Sequence, residues 1–137
     1  MISDRLKRTK HVRDDGWLAE TISMKYGDHP FTGVHTYIVS IAPGRSRANH
    51  YHEKKEEWIA LAAGRVELIL EDTRTKTRET AVLDSFSGEY FVVHIPPFVA
   101  HSVRNTGDRE AAVVVFSRTP EDTGDTFPYE INSLPPL

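Results

Sequence analysis

The sequence predicts an all-β protein, folded as a sandwich or a barrel. Short apolar segments rich in β-branched and aromatic residues recur along its 137 residues, and Gly, Pro and Asp turn signals separate them. Helices are disfavoured because the segments are short and are interrupted repeatedly by glycine or proline. No internal repeat or linker-like stretch is present, so a single domain over residues 1–137 is expected.

The first half of the chain offers four strand segments. WLAETISMKY (17–26) leads into a Gly/Asp/Pro turn cluster, and VHTYIVSIA (34–42) is β-branched and aromatic and stops at a Pro-Gly pair. EWIALAAG (57–64) ends at a glycine and RVELILED (65–72) follows at once. This pair is predicted to form a hairpin that turns at Gly64.

The second half begins with a polar stretch, residues 73–80, which predicts a turn. YFVVHI (90–95) runs into two prolines, HSVRN (101–105) precedes a Thr-Gly-Asp turn, and EAAVVVFSR (110–118) is the last strand segment.

The barrel core is therefore expected at about residues 14–118, followed by an extended tail at 119–137. Three positions for this tail stay open: packed on the barrel, crossing to a partner subunit, or disordered.

Composition excludes several classes of function. The chain has no cysteine, which excludes disulfides, thiolate metal sites and cysteine nucleophiles. Its net charge of −3 gives no basic field for nucleic acid or for an anionic membrane surface. No apolar run approaches the length of a membrane span or a signal peptide. We expect a cytoplasmic protein with neither nucleic-acid nor membrane partners.

The stretch HYHEKKEE (50–57) concentrates titratable side chains. His50 and His52 are two residues apart, so both rings leave the same face of a strand. A metal site needs three or four such ligands from a rigid frame. After the polar turn, Glu56 or Glu57 opens the next strand, and strand alternation cannot choose between them. Taken alone, a His-x-His pair is more often surface decoration than a ligand pair.

Two segments resemble the sequence motifs of the cupin family. The first has a fixed spacing of glycine, His-x-His, glutamate and glycine, and the second has a spaced proline, histidine and asparagine. The matching residues are Gly44, His50, His52, Glu57 and Gly64, then Pro96, His101 and Asn105. Phe98 stands where the second motif usually has glycine, and Gly88 lies farther from the proline than the pattern requires.

The resemblance implies a cupin jelly-roll barrel, also called a double-stranded β-helix, with a metal site inside it. The implied ligands are His50, His52, Glu57 and His101. Three imidazoles and a carboxylate suit a divalent transition metal, whether zinc, iron, manganese, nickel or copper, and the sequence does not rank these. Some cupins keep the barrel without a metal and use a histidine for acid–base chemistry, so that alternative stays open.

Three further stretches are similar to those of nucleotide-sugar cupins: DDGWLAE (14–20), APGRSRANHYH (42–52) and PPFVAHSVRNTGD (96–108). The similarity is to the C-terminal cupin domain of capsular polysaccharide enzymes that act on UDP-2-acetamido-2,6-dideoxyhexoses. It extends more loosely to dTDP-4-dehydrorhamnose 3,5-epimerases and dTDP-sugar 3,4-ketoisomerases. It implies a homodimeric epimerase or isomerase of a nucleotide-linked 4-keto sugar in polysaccharide precursor biosynthesis.

Within that resemblance, two positions separate the metal-dependent from the metal-free chemistry. In the 3,5-epimerases the histidine matching His50 is the base, and glutamine is common at the position of His52. Histidine at both positions favours a metal. The ketoisomerase pattern places its carboxylate at Glu56, so both glutamates remain candidates.

Proton transfer next to a carbonyl requires a base within reach and a group that stabilises the enolate oxygen. A metal supplies the second, so the base must be another residue. The main catalytic candidates are His94, Tyr51 and Tyr90, and His35 is a further one. The main candidates for binding the substrate phosphates are Arg47, Lys55 and Arg104, and Lys54 is a further one. Two other functions stay open: a metal-dependent cupin enzyme of different chemistry, such as a dioxygenase or small-molecule isomerase, and a non-catalytic sugar- or metabolite-binding cupin.

Overall fold

A computed structural model describes residues 2–28, 33–120 and 122–131. These residues form twelve β-strands and one short 3-10 turn, Thr123–Asp125, without an α-helix among them. No helix in the described ranges is long and apolar enough to cross a membrane. The strands are β1 Asp4–Arg8, β2 Lys10–Arg13, β3 Gly16–Ala19, β4 His35–Ile41, β5 Ser46–Tyr51, β6 Glu57–Ala63, β7 Arg65–Asp72, β8 Arg78–Asp84, β9 Tyr90–Ile95, β10 Val99–Arg104, β11 Ala111–Ser117 and β12 Phe127–Pro128.

Two five-stranded antiparallel sheets build the molecule, in the orders β1-β9-β6-β11-β4 and β12-β5-β10-β7-β8. Each sheet contributes alternate apolar side chains to a shared core, as sheet-on-sheet packing requires. The fully buried members include Ile41, Leu68, Leu70, Val93 and Ile95. The predicted all-β jelly-roll fold is confirmed.

The hairpin predicted at Gly64 is wrong, because β6 and β7 lie in different sheets. Gly64 has φ +82°, and a Cβ there would lie 3.0 Å from Cβ of Ala111. The glycine therefore lets the chain cross between sheets past β11 without a clash. The strand β7 forms its hairpin with β8, and the intervening polar residues 73–77 confirm the predicted turn in that region.

The first sheet starts earlier than the predicted core boundary near residue 14. Strand β1 pairs with β9 along its whole length, from Asp4 to Arg8. Its sequence, DRLKR, is too charged to be read as a strand, which is usual for an edge position. The predicted strand 17–26 is shorter than expected, because β3 ends at Ala19 and pairs only with β2 in a separate hairpin.

The C-terminal tail packs on the second sheet over its described residues. Strand β12 pairs with β5, and the side chain of Ile131 is buried against Ile69 and Ala100. Three positions were open for the tail, and the structure shows residues 122–131 in one of them, packed on the barrel. Residues 121 and 132–137 of the predicted tail lie outside the described residues.

Candidate functional site

Four side chains converge inside the barrel, and they are the four implied as metal ligands. His50 lies on β5, His52 follows that strand, Glu57 opens β6 and His101 lies on β10. One nitrogen or oxygen ligand atom from each lies within 4.8 Å of the others. All are buried except His50, which is half-buried. The two strands β5 and β10 are paired neighbours, whereas Glu57 reaches the cluster from the opposite sheet.

A β-bulge beside the cluster aims His50 into the barrel. His101 pairs with His50, and the next residue, Ser102, pairs with Ala48, so that Asn49 is the extra residue of β5. Ala48 and Asn49 have φ of +71° and +57°. Asparagine tolerates this left-handed conformation better than most residues do, and such bulges commonly redirect a side chain near a functional site.

Strand alternation decides between the two neighbouring glutamates. Glu57 faces inward with only 3% of its surface exposed. Glu56 faces outward, where its Oε2 lies 2.6 Å from Nε2 of His94. Since successive side chains of a strand point to opposite faces, only Glu57 reaches the cavity.

The rings of His52 and His101 are both oriented by backbone carbonyl groups. Nδ1 of His52 lies 2.7 Å from the carbonyl oxygen of Asp125, and Nδ1 of His101 lies 3.3 Å from that of Val99. A carbonyl oxygen only accepts hydrogen bonds, so each Nδ1 carries a proton and donates it. The two Nε2 atoms then both face Oε1 of Glu57, at 3.1 and 3.0 Å. Such outer hydrogen bonds commonly fix metal-ligating histidines.

The charges in this cluster suit a bound cation. Burial alone would raise the pKa of Glu57, but the hydrogen bonds from His101 and His52 hold that pKa well below its usual range. Burial lowers the pKa of His52, but its hydrogen bonds to Glu57 and to the Asp125 carbonyl outweigh burial and raise it. Glu57 is therefore a buried anion that two imidazole nitrogens approach, and a divalent transition metal fits this set of three nitrogens and one carboxylate.

The turn before β10 keeps its shape although Phe98 replaces the usual glycine. Phe98 has φ +68°, the conformation that glycine would adopt there. Its backbone N–H donates to the carbonyl oxygen of His52 at 2.7 Å. This bond ties the turn preceding His101 to the chain that carries His52.

A cavity of about 150 Å³ opens beside the cluster. Apolar side chains form most of its wall, and the polar side chains outside the cluster are Tyr37 and Arg47. Oη of Tyr37 donates to Oε2 of Glu57 at 3.0 Å. Sequence reasoning missed Tyr37. The available signal was the alternation of β4, which points Tyr37 and Val39 to the same face, but the sequence does not say which face is inside.

None of the three catalytic candidates proposed from the sequence reaches this cavity. His94 lies on the outer face of the first sheet, where its ring stacks on Trp58 at 4.7 Å between centroids. The ring of Tyr51 stacks on Phe127 in the C-terminal segment. In each case strand alternation points the side chain away from the cluster.

Tyr90 is a structural residue of the core. Its hydroxyl donates to the carbonyl oxygen of Leu61 at 2.7 Å. Burial raises the pKa of Tyr90 to about 12, so this hydroxyl stays protonated near neutral pH. Trp58, 4% exposed, is a core residue as predicted.

The predicted phosphate-binding residues separate into two groups. Arg47 lines the cavity, and Lys55 is buried with Nζ 6.0 Å from the ring centroid of Tyr37. The guanidinium of Arg104 instead donates to the carbonyl oxygen of Ile131, on the outer face of the second sheet. Arg104 is therefore an anchor for the C-terminal segment and not part of the cavity.

Residues 11–127 match the polysaccharide biosynthesis C-terminal domain family. The chain belongs to this family. A relative of this chain is the spore coat polysaccharide biosynthesis protein SpsL of Bacillus subtilis (strain 168). It is 30% identical over 114 residues, which cover 81% of this chain and 75% of SpsL.

Solved structures resemble this member of the polysaccharide biosynthesis C-terminal domain family in fold. The dTDP sugar isomerase from Desulfovibrio desulfuricans G20 superposes with a TM-score of 0.81 at 20% identity, covering 96% of this chain and 85% of the isomerase. The capsular polysaccharide assembling protein CapF from Staphylococcus aureus gives a TM-score of 0.66 at 21% identity. That match covers 90% of this chain but only 34% of CapF. The cupin resemblance read from the sequence is confirmed.

Proposed function

We propose that this protein is a metal-binding isomerase or epimerase of a nucleotide-linked 4-keto sugar in polysaccharide precursor biosynthesis. The observation that carries the proposal is the cluster of three histidines and Glu57. Two of the histidines, His50 and His101, line a cavity together with Glu57 and Tyr37. Its family and the similarity to a dTDP sugar isomerase support the same class of substrate.

His50, His52, Glu57 and His101 would hold a divalent transition metal. When bound, such a metal supplies a Lewis acid that stabilises the enolate oxygen formed next to a carbonyl. The chain's own task is to hold these ligands in place and to keep water out. Valine and isoleucine side chains do the latter; they are Val39, Ile59, Val103, Val113 and Val115.

Tyr37 is the residue placed to move the proton. The two oxygens of Glu57 have different partners: Oε1 faces His52 and His101, whereas Oε2 accepts the hydroxyl proton of Tyr37. After Tyr37 has lost its proton to solvent, its Oη takes the proton that leaves the substrate carbon, and Glu57 remains a carboxylate, as its lowered pKa requires. Oη of Tyr37 then donates this proton back to the sugar, which gives the product.

The dimensions of the cavity indicate which part of the substrate enters it. Pockets for drug-sized ligands typically measure about 300–1,000 Å³, and this cavity measures about 150 Å³. The sugar ring is therefore the part that enters, and the nucleotide remains outside. Arg47 lines the cavity, and its planar guanidinium suits a pyrophosphate.

The direct test is proton exchange in deuterated water with UDP- and dTDP-linked 4-keto-6-deoxyhexoses. Deuterium is expected at the carbon next to the carbonyl in at least one of these substrates. Glu57→Gln keeps the shape of the side chain but removes the charge that the histidines face, so exchange should be lost. Glu56→Gln is the matched control, since Glu56 contacts His94 outside the cavity, and it should retain exchange.

The same assay separates the alternatives. Absence of exchange with every such sugar, in protein that binds a metal, would favour a metal-dependent cupin enzyme of other chemistry. Absence of exchange together with tight binding of a sugar nucleotide would favour a binding protein without turnover.

A further inference from the structure

We propose that the C-terminal segment, residues 122–131, is a positioning element of the metal site, with Asp125 as its working residue. The inference rests on the metal site of the proposed function and extends it to residues that supply no ligand. In the fold this segment follows the last barrel strand and runs beside β5, the strand that carries His50.

The carboxylate of Asp125 holds the loop between His52 and Glu57. Its side chain is buried, with 6% of the residue exposed. Oδ1 accepts the backbone N–H groups of Glu53 and Lys54 at 2.9 and 3.2 Å, and Oδ2 accepts those of Lys54 and Lys55 at 3.2 and 3.0 Å. Three consecutive peptide groups are thereby fixed by one side chain.

The backbone carbonyl of the same residue fixes the ring of His52. Its oxygen accepts the Nδ1 proton at 2.7 Å, which leaves Nε2 as the atom directed at Glu57. Asp125 thus orients the ligand His52 through its backbone carbonyl. Its carboxylate restrains the loop that leads from His52 to the next ligand, Glu57. Partners of this kind typically contribute about 10–100-fold to metal affinity.

The remainder of the segment is anchored outside the loop between His52 and Glu57, on the strand that carries His50. β12 pairs with β5, and the backbone N–H of Tyr129 donates to the carbonyl oxygen of Asn49 at 2.8 Å. The hydroxyl of Tyr129 donates to Glu71, and Ile131 is buried at 4% exposure. These contacts keep Asp125 in place without touching the residues from His52 to Glu57.

The affinity of the protein for zinc, measured by competition with a chromophoric chelator, tests this role. Asp125→Ala removes all four carboxylate bonds, and its dissociation constant for zinc should rise by about 10–100-fold. Asp125→Asn keeps an acceptor for part of the loop but points an amide at another N–H group, so an intermediate rise is expected. Asp84→Ala is the matched control, since its carboxylate accepts the backbone N–H of Phe86 in the turn that follows β8, outside the cluster and the C-terminal segment, and it should bind zinc with unchanged affinity.

A second measurement keeps the test independent of zinc binding and of the variants' folding. In ¹⁵N-labelled, metal-free wild-type protein, Nδ1 of His52 should carry a slowly exchanging proton. Wild-type protein that binds no zinc would contradict the proposed metal site, while the Nδ1 proton would still report on the positioning.

Two results would overturn the inference. One is an Asp125→Ala protein with wild-type zinc affinity, which would make the segment a structural cover only. The other is a metal-free wild-type protein in which the proton of His52 is on Nε2 alone.

Discussion

Glu57 is the residue at which the parts of the site meet. Its two carboxylate oxygens contact different groups: Oε1 the imidazoles of His52 and His101, and Oε2 the phenol of Tyr37. A single buried anion therefore couples the proposed ligand cluster to the proposed proton carrier. Such fully connected polar networks fix side-chain positions more firmly than isolated hydrogen bonds.

Tyr37→Phe tests the role of the phenol. The variant keeps the ring in the wall of the cavity but loses the hydroxyl that donates to Glu57. Loss of general acid–base catalysis should lower kcat by about 10²–10⁴-fold, with the metal content unchanged. Tyr51→Phe is the control, because that ring stacks on Phe127 away from the cavity, and its kcat should equal that of the wild type. Equal kcat values for the two variants would remove Tyr37 from the mechanism.

Arg47 and Arg104 form a second matched pair. A ligand that binds only the folded state raises the melting temperature, so sugar nucleotides should stabilise the wild-type protein. Arg47→Ala should reduce this shift, since Arg47 lines the cavity. Arg104→Ala should retain it, because Arg104 contacts the carbonyl of Ile131 outside the cavity. Thermal shift with UDP- and dTDP-sugars measures both, and an equal loss in the two variants would count against an anion contact at Arg47.

Asp125 should contribute to acid stability. Burial alone would raise its pKa, but the N–H groups of Glu53, Lys55 and Lys54 lower it. A carboxyl group with a depressed folded-state pKa stabilises the fold above its unfolded pKa of about 4, and this stability is lost as the pH falls through the folded pKa. Asp125→Asn should therefore flatten the pH dependence of the free energy of unfolding below about pH 4. Urea unfolding at a series of pH values measures this, and an unchanged slope would show that Asp125 does not titrate in that range.

At the scale of elements, the crossover at Gly64 determines which strands face each other. If β6 and β7 formed a hairpin, Glu57 would lie in the same sheet as the histidines. Because the chain crosses to the other sheet at Gly64, Glu57 instead approaches the histidine strands across the barrel. The cavity depends on this separation.

Gly64→Ala should destabilise the fold by about 1–3 kcal/mol. The added Cβ would lie 3.0 Å from Cβ of Ala111, and φ is +82°. Gly88→Ala is the control, since a Cβ there has open space and no left-handed φ, and it should change stability little. Chemical denaturation compares the free energies of unfolding of the two variants. Equal values would show that β11 shifts to make room for the added Cβ at Gly64.

The sequence predicted the ligand cluster better than the connections around it. Two motifs of fixed spacing specify the residue types at His50, His52 and His101, and a barrel of paired strands brings them together. A glycine between two strands, by contrast, has the same local sequence whether the chain returns or crosses, so Gly64 was misread. The backbone carbonyl that orients His52 could not be predicted from the sequence, because every residue has a backbone carbonyl.

At the scale of the whole molecule, the jelly roll encloses a cavity of about 150 Å³ between its two sheets, and under the proposed function the sugar enters this cavity while the nucleotide stays outside. The C-terminal segment closes one side of this arrangement by packing on the second sheet. The homodimer implied by the family resemblance stays a prediction. Among the described residues that line the cavity, most are apolar, and the polar side chains are those of His50, Glu57, His101, Tyr37 and Arg47.

The metal content of purified protein tests the central claim most directly. Elemental analysis should find close to one divalent transition metal per chain in the wild type. His101→Ala should lose most of it, because His101 is one of the four converging side chains. His94→Ala should retain it, because His94 lies on the outer face against Trp58. Metal-free wild-type protein that still isomerises a sugar, or equal metal content in the two variants, would contradict the account.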